Sequence, residues 1–509
     1  MSALLALFLR SLRLHLRDRT TIVARVALVA IILILLFLAH ASATSVGAPG
    51  LGFFSAVMIL NLWFLTLAAV SYFASAITEE KEEGTLGLLQ MTDLDPLAIL
   101  LGKSTTRLCG ALLLLAAQLP FTLLAVALGG ISTRQIFAAY ATLGSYTFFL
   151  SCLALLASVV ATRTAIASML TGGFLVVEPL LVVAMKAAPK FAALPQFRGK
   201  GTGFAATLAA WGDGLADASP FSHLGEIMTT GFRATVFGEQ FWICVIAGLV
   251  CFGLAWALFD VFAGDSRLFV SGRIVPRPRG RFGKFAPPRA WTISAVAWKD
   301  YYFLHGGPLV NYAKLLAYGL LCVWQFYIAR NDTDPLASAA ANIFGTMFFV
   351  LTIELGVIGS RMLRDEVRNK TLVGLASLPF AMKHIVLMKI DGAKRSLFPA
   401  VFWMVIGAVL ALVSVATNGG SDPWQWIGGA LIFAYLGTQT WLFAHVAAYH
   451  SLRLKWGALP LSFGLCALAN LIGAGMCFGV FVAPIVALIL IPGLRDSIHA
   501  RLEQLASED

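Results

Sequence analysis

Val26-Ala-Leu-Val-Ala-Ile-Ile-Leu-Ile-Leu-Leu-Phe-Leu-Ala39 runs between Arg25 and His40 without one polar side chain. A half-buried strand would alternate apolar and polar residues, whereas a helix needs about 20 mostly apolar residues to cross a bilayer. Outward from this run, similar stretches recur along the chain, separated by charged or Gly/Pro-rich breaks. They predict spans near 22–39, 51–77, 104–129, 136–162, 165–188 and 240–263, then near 310–330, 337–360, 396–416, 425–449, 457–474 and 476–494. Hydrophobic residues make up 59% of the 509 and charged ones 12%, where roughly 25% charged is usual in soluble domains. The mean hydropathy is +0.84. These values exclude a soluble globular protein, and the unbroken runs exclude an outer-membrane barrel. The expected fold is all-α and polytopic, with about 12 transmembrane helices.

The net charge of +11 suggests a basic membrane face, not nucleic acid. With the N-terminus in the cytosol, 28 of the 37 Lys and Arg residues fall in cytosolic segments and seven outside. Both termini are then cytosolic, and the expected location is the bacterial cytoplasmic membrane. Arg10 to Arg19, the apolar run and Ala41-Ser42-Ala43 also resemble a signal peptide, although the run is long for one. Seven cysteines lie in or beside apolar runs without metal-ligand spacing, and read as small buried apolar residues. Residues 264–289 are basic and Pro-rich, a cytosolic linker between a first half (1–263) and a second (290–509). The linker suits contact with anionic lipid headgroups.

The halves repeat. A shift of 286 residues aligns Glu79 to Lys103 with Asp365 to Lys389 without a gap, and seven of the 25 positions are identical. These are Glu80/Glu366, Thr85/Thr371, Leu86/Leu372, Leu89/Leu375, Ile99/Ile385, Leu101/Leu387 and Lys103/Lys389. The same register pairs Leu65-Thr66 with Leu351-Thr352. Six spans before a cytosolic linker make the repeats parallel.

Each repeated stretch begins where the second span of its half meets the cytosol. In the first, Ile77-Thr-Glu-Glu-Lys-Glu-Glu-Gly-Thr-Leu-Gly-Leu-Leu-Gln90, Thr78 is placed to cap a helical turn and Gly84 permits a break. Leu86, Leu88 and Leu89 offer an apolar contact, and Asp95-Pro96 supplies the cap and first position of the next helix. An amphipathic element of this kind suits docking of another protein. Its residues resemble the Glu-Glu-x-x-x-Gly-Thr-Leu-x-x-Leu segment after the second span in permease subunits of the type-2 ATP-binding-cassette transporter family. Leu101-Gly102-Lys103 resembles that family's Leu-Gly-Lys.

The resemblance implies a permease of an ATP-driven exporter. Glu79, Glu80, Glu83, Gly84, Thr85, Leu86, Leu89 and Lys103, with Asp365, Glu366, Thr371, Leu372, Leu375 and Lys389, would form two coupling segments resting on ATPase subunits. It further implies amphipathic lead-in helices at Leu4 to Arg19 and Ala290 to Phe303. The implied partners are two copies of the ATPase, carrying ATP and Mg, with membrane lipids and a further permease or accessory subunit. No cofactor is expected in this chain. The second copy departs from the pattern, because Lys370 stands in place of Gly84 and a weaker bend is expected there. About 50 residues, Pro189 to Glu239, precede the sixth span of the first half and have no counterpart in the second.

Gly102-Lys103-Ser104 is not a phosphate-binding loop, since position 97 is Leu where that pattern needs Gly. If ATP is used, a separate subunit must bring it. Glu178, before Pro179, sits mid-span, where an unpaired charge costs roughly 3 kcal/mol or more. It reads either as a pathway carboxylate or as a hydrogen-bonded structural acid. Glu354 has the same two readings, with Arg361 or Arg364 as its expected partner. His445 reads as a packed histidine. No constellation supports an enzyme. Two other classes stay open: an ion-coupled secondary transporter working through Glu178 or Glu354, and a membrane enzyme acting on lipids.

Overall fold

Pro49 and Pro335 each open a long apolar helix, and they stand 286 residues apart. Proline is pre-set for the first turn of a helix, where its missing N–H is no loss. In the computed structural model the described residues are 19–41, 49–91, 95–162, 202–229, 235–263, 294–330, 334–368, 371–417, 423–454, 458–475 and 479–508, with scattered positions between 164 and 185 and at 232. Residues 1–18, the linker at 264–289 and Lys370 lie outside this set. The chain divides into two compact units, Met1–Ile274 and Val275–Asp509.

The first unit holds α1 (Arg19–Ala41), α2 (Pro49–Ser71), α3 (Thr78–Glu82), α4 (Leu86–Gln90), α5 (Pro96–Ala127), α6 (Thr133–Val160), α7 (Ile166–Leu175), α8 (Thr202–Asp217), α9 (Pro220–Ile227) and α10 (Glu239–Ala263). α6 is its most buried long helix and packs along α10. Its N-terminus is fixed by Ser132 and Gln135, whose side chains and backbone N–H groups bond reciprocally. Between α2 and α5, Asn61 donates to the Gln118 Oε1 at 2.8 Å, an interhelical bond between two buried amides.

The second unit holds α11 (Ala295–Lys299), which runs into a wide turn at Asp300–Leu304, then α12 (Gly307–Ala329), α13 (Pro335–Met362), α14 (Arg364–Arg368), α15 (Leu372–Ala376), α16 (Met382–Ser396), α17 (Phe398–Thr417), α18 (Pro423–Arg453), α19 (Ala458–Gly475) and α20 (Gly479–Glu508). α13 packs on α17 and α18, and α18 on α20. Small residues let the backbones approach: a Cβ on Gly359 would lie 2.7 Å from the Ala444 carbonyl oxygen.

The starts of α13, α14, α15 and α16 each fall 286 residues after those of α2, α3, α4 and α5. The correspondence then breaks. α5 is one helix of 32 residues, whereas its counterpart stops at Ser396 and restarts at Phe398. Pro399 is the cause, because it cannot donate to the Arg395 carbonyl four residues back. Asn311 donates to that carbonyl instead, at 2.7 Å.

Eight helices among the described residues are long and apolar enough to cross a membrane, and shorter apolar helices occur at Leu28–Phe37, Ile166–Leu175 and Ala458–Asn470. No strand is present among the described residues. Large apolar side chains stand exposed along the helix flanks, Leu316, Leu320 and Val323 on α12 and Leu488 and Ile489 on α20, and lipid is the solvent that accommodates them. The fold is an all-α, polytopic, membrane-embedded one. The helix boundaries extend several of the expected spans: α5 begins eight residues before the predicted 104, and α20 continues to Glu508 as a polar helix.

Candidate functional site

The two return segments, α3–α4 and α14–α15, are built on one plan. Gly84 takes φ +70°, the left-handed conformation that favours glycine, and turns the chain between α3 and α4. The turn is closed by the Thr85 N–H donating to the Glu80 carbonyl at 3.0 Å. The Thr85 hydroxyl donates to the Glu80 carboxylate, and the Lys103 ammonium on α5 donates to the other oxygen of that carboxylate. In the second unit the Thr371 N–H donates to the Glu366 carbonyl, also at 3.0 Å. The Thr371 hydroxyl donates to the Glu366 carboxylate, and Lys389 on α16 donates to it at 2.7 Å. Three of the seven identities of the repeat thus make the same Glu–Thr–Lys triad twice. A fourth is the leucine that follows the threonine and roots each segment.

Leu86 is fully buried among Ile77, Ile99, Leu100, Val159 and Phe259, with Leu89 packed beside them. Leu372 is buried among Leu363, Val386, Ala448, Ile498 and Leu502. Leu375 and Asp365 are half-buried, and Asp365 pairs within its own helix with Arg368 at 3.7 Å.

The surroundings of the triads differ. In the first unit Arg107 reaches Glu79 at 2.7 Å and Ser75 Oγ at 2.7 Å, donates to the Tyr72 carbonyl, and lies 4.8 Å over the Tyr72 ring. Lys81 donates to the Val159 and Ala161 carbonyls at the end of α6, where the helix dipole favours a cation. Glu82 accepts from the Thr164 N–H at 2.7 Å and from its hydroxyl at 2.9 Å. In the second unit Lys389 also donates to Asp300 at 2.7 Å, and Lys299 lies 3.1 Å from Glu366. The Lys389 and Asp300 side chains are each 1% exposed and that of Glu366 6%, against 40% for Lys103 and 16% for Glu80. Burial pushes the Asp300 carboxyl above its ordinary pKa, while Lys389 and Lys299 pull it down. His305, just after the wide turn, is lowered to about 4 by burial and by the nearby Lys314 and Lys389 charges.

Two sequence-based expectations are corrected here. Thr78 does not cap α3. Its hydroxyl bonds Ala74 and Thr164, and Ser158 on α6 accepts the Ile77 and Thr78 N–H groups at 2.8 and 2.9 Å. Asp95 occupies the N-cap position of α5 without a side-chain bond. Glu80 is held by Lys103 and Thr85, whereas Glu83 is exposed. What the first segment leaves exposed is Glu83, Leu88 at 64% and Met91 at 78%; the second leaves Val373, Leu378 and Phe380. Asp300, Lys299, Arg107, Ser158 and Thr164 were not singled out from the sequence. The charge pair Lys299-Asp300 inside an aromatic run was the one available signal.

Glu354 does pair, but neither with Arg361 nor with Arg364. Lys314 on α12 lies 2.9 Å away, and the Tyr318 hydroxyl donates to the same carboxylate oxygen. A lysine one helix away relieves the cost of a charge in the span. Glu178 is half-buried, within electrostatic reach of Tyr146 and Cys244. His445 bonds the Trp441 carbonyl at 2.9 Å. Among the described residues six cysteines are free thiols, and no group of three or more metal-ligating residues forms. No family model, no curated protein and no solved structure matches this chain.

Proposed function

We propose that this chain is the membrane-spanning permease subunit of an ATP-driven exporter of the type-2 ATP-binding-cassette kind, in a bacterial cytoplasmic membrane with both termini in the cytosol. The observation that carries the reading is the twice-built Glu–Thr–Lys triad. It pins a short helix to the next long helix of its unit through a charge-assisted bond, and it leaves apolar side chains on the outer face. A push on Leu88 or Val373 is passed through the triad to α5 or α16 instead of being absorbed by a loose loop. Two separate ATPase subunits, holding ATP and Mg, supply that push. The chain itself performs no bond chemistry.

The ion-coupled alternative is less favoured because Lys314 and Tyr318 already occupy Glu354, one of its two candidate carboxylates. Co-expression with cassette ATPases of the same organism tests the proposal. Leu88→Glu with Met91→Glu is expected to abolish co-purification of the ATPase while membrane insertion is retained. Undiminished co-purification would remove the proposal's support.

A further inference from the structure

Beside the second return segment a cleft of about 830 Å³, measured to its open mouth, lies between α13, α16, α18 and α20. Its floor is apolar, formed by Leu355, Ile358, Met362, Val386, Ile390 and Ile498. Its mouth is basic, with Lys383 and Lys394 from α16 and Arg495 from α20. The three side chains are exposed and make no ion pair or hydrogen bond with a described residue, although Asp391, Asp496 and Glu503 stand on the same helices. His499 completes the wall, and its Nδ1 is buried with no hydrogen-bond partner.

The position of the cleft selects its occupant. Arg495 is the first charged residue after the apolar run Gly479 to Leu494 of α20, so it marks the depth at which hydrocarbon gives way to headgroups. α16 is the charged helix just past the return segment. Trp441, 42% exposed in the wall, has the amphipathic ring typical of that depth. Apolar walls below and three exposed cations above match one chemical class: a phospholipid with its acyl chain in the cleft and an anionic headgroup on Lys383, Lys394 and Arg495.

We propose that this cleft binds an anionic phospholipid from the leaflet on the side of the return segments. The site does not depend on the exporter reading. It bears on that reading, however, because Leu363, Val386, Ala448 and Ile498 line the cleft and also bury Leu372, the root of the second segment. A bound acyl chain therefore braces α15.

The test uses the full-length chain purified in detergent and exposed to mixed micelles of dioleoyl-phosphatidylglycerol and dioleoyl-phosphatidylcholine, with retained lipid read by native mass spectrometry. The chain is expected to retain phosphatidylglycerol at least tenfold over phosphatidylcholine. Lys383→Gln/Lys394→Gln/Arg495→Gln is expected to lose that preference, and Lys383→Arg/Lys394→Arg to keep it, which controls for folding. Leu387→Trp, at the half-open rim, is expected to reduce retention of both lipids. Equal retention of the two lipids by the unaltered chain would overturn the proposal, as would a preference that survives the triple change. Glycerol phosphate competing as well as the intact lipid would show a soluble-anion site. A lipid-free dimer in the spectrum would show that a second copy fills the cleft. Either result would also overturn it.

Discussion

Lys389 touches two carboxylates, Glu366 and Asp300, at 2.7 Å each, in surroundings that leave its side chain 1% exposed. With Lys299 the four charges cancel, so the group is stable as a set and costly to break. Removing one partner of a buried pair leaves an uncompensated charge, at roughly 3–5 kcal/mol. Lys103 serves the matching triad with its side chain 40% exposed, where solvent reduces such a pair to about 1 kcal/mol or less. Lys389→Met is therefore expected to lower the melting temperature of the purified chain much more than Lys103→Met, and equal shifts would contradict the difference in burial. His305 gives a pH-dependent test. Its folded-state pKa, about 4, lies below its ordinary 6.5, so between those values the unfolded chain binds more protons. The contribution of His305 is complete above pH 6.5 and is lost as pH falls toward 4. Thermal melts across that window should rise less with pH in His305→Gln than in the unaltered chain, and parallel curves would show that His305 is not the group responsible.

At the scale of the element, a short helix of five residues has too few internal bonds to persist alone, so each return segment depends on its turn and its root. A Cβ at position 84 meets nothing within 4 Å, so the only obstacle to a side chain there is the backbone at φ +70°. Gly84→Ala should cost roughly 1–2 kcal/mol, and Gly84→Asn less, because asparagine tolerates that conformation. Denaturant melts would measure both, and a neutral alanine would contradict the turn as described. The sequence made the bend at Gly84 legible, along with the 286-residue register and the leucines after each threonine. The weaker bend expected at Lys370 lies outside the described residues, but beside it Thr371 closes on Glu366 at the same 3.0 Å, and its triad is the more deeply buried of the two. Four acids in five positions do not reveal that Lys103, 23 residues away, is brought beside Glu80. Pairings of this range, like Lys314 with Glu354, depend on which helices become neighbours. Periodicity and composition carry no information about that.

For the whole molecule, apolar run lengths were enough to establish an all-α membrane fold, since helix formation is the only way each span can satisfy its own backbone in lipid. They were not enough to place the ends of helices that continue past the hydrocarbon, as α5 and α20 do. On the proposed function, the two return segments, alike in construction, are the surfaces on which ATPase subunits bear. The direct measurement is photo-crosslinking in the assembled complex from single benzophenone residues, placed outward at Leu88 and Val373, inward at Leu86 and Leu372, and at Gly130 just beyond the far end of α5. Crosslinks to the ATPase from positions 88 and 373 alone are predicted. Crosslinks from Gly130, or none from Leu88 and Val373 in a complex that still hydrolyses ATP, would contradict the claim.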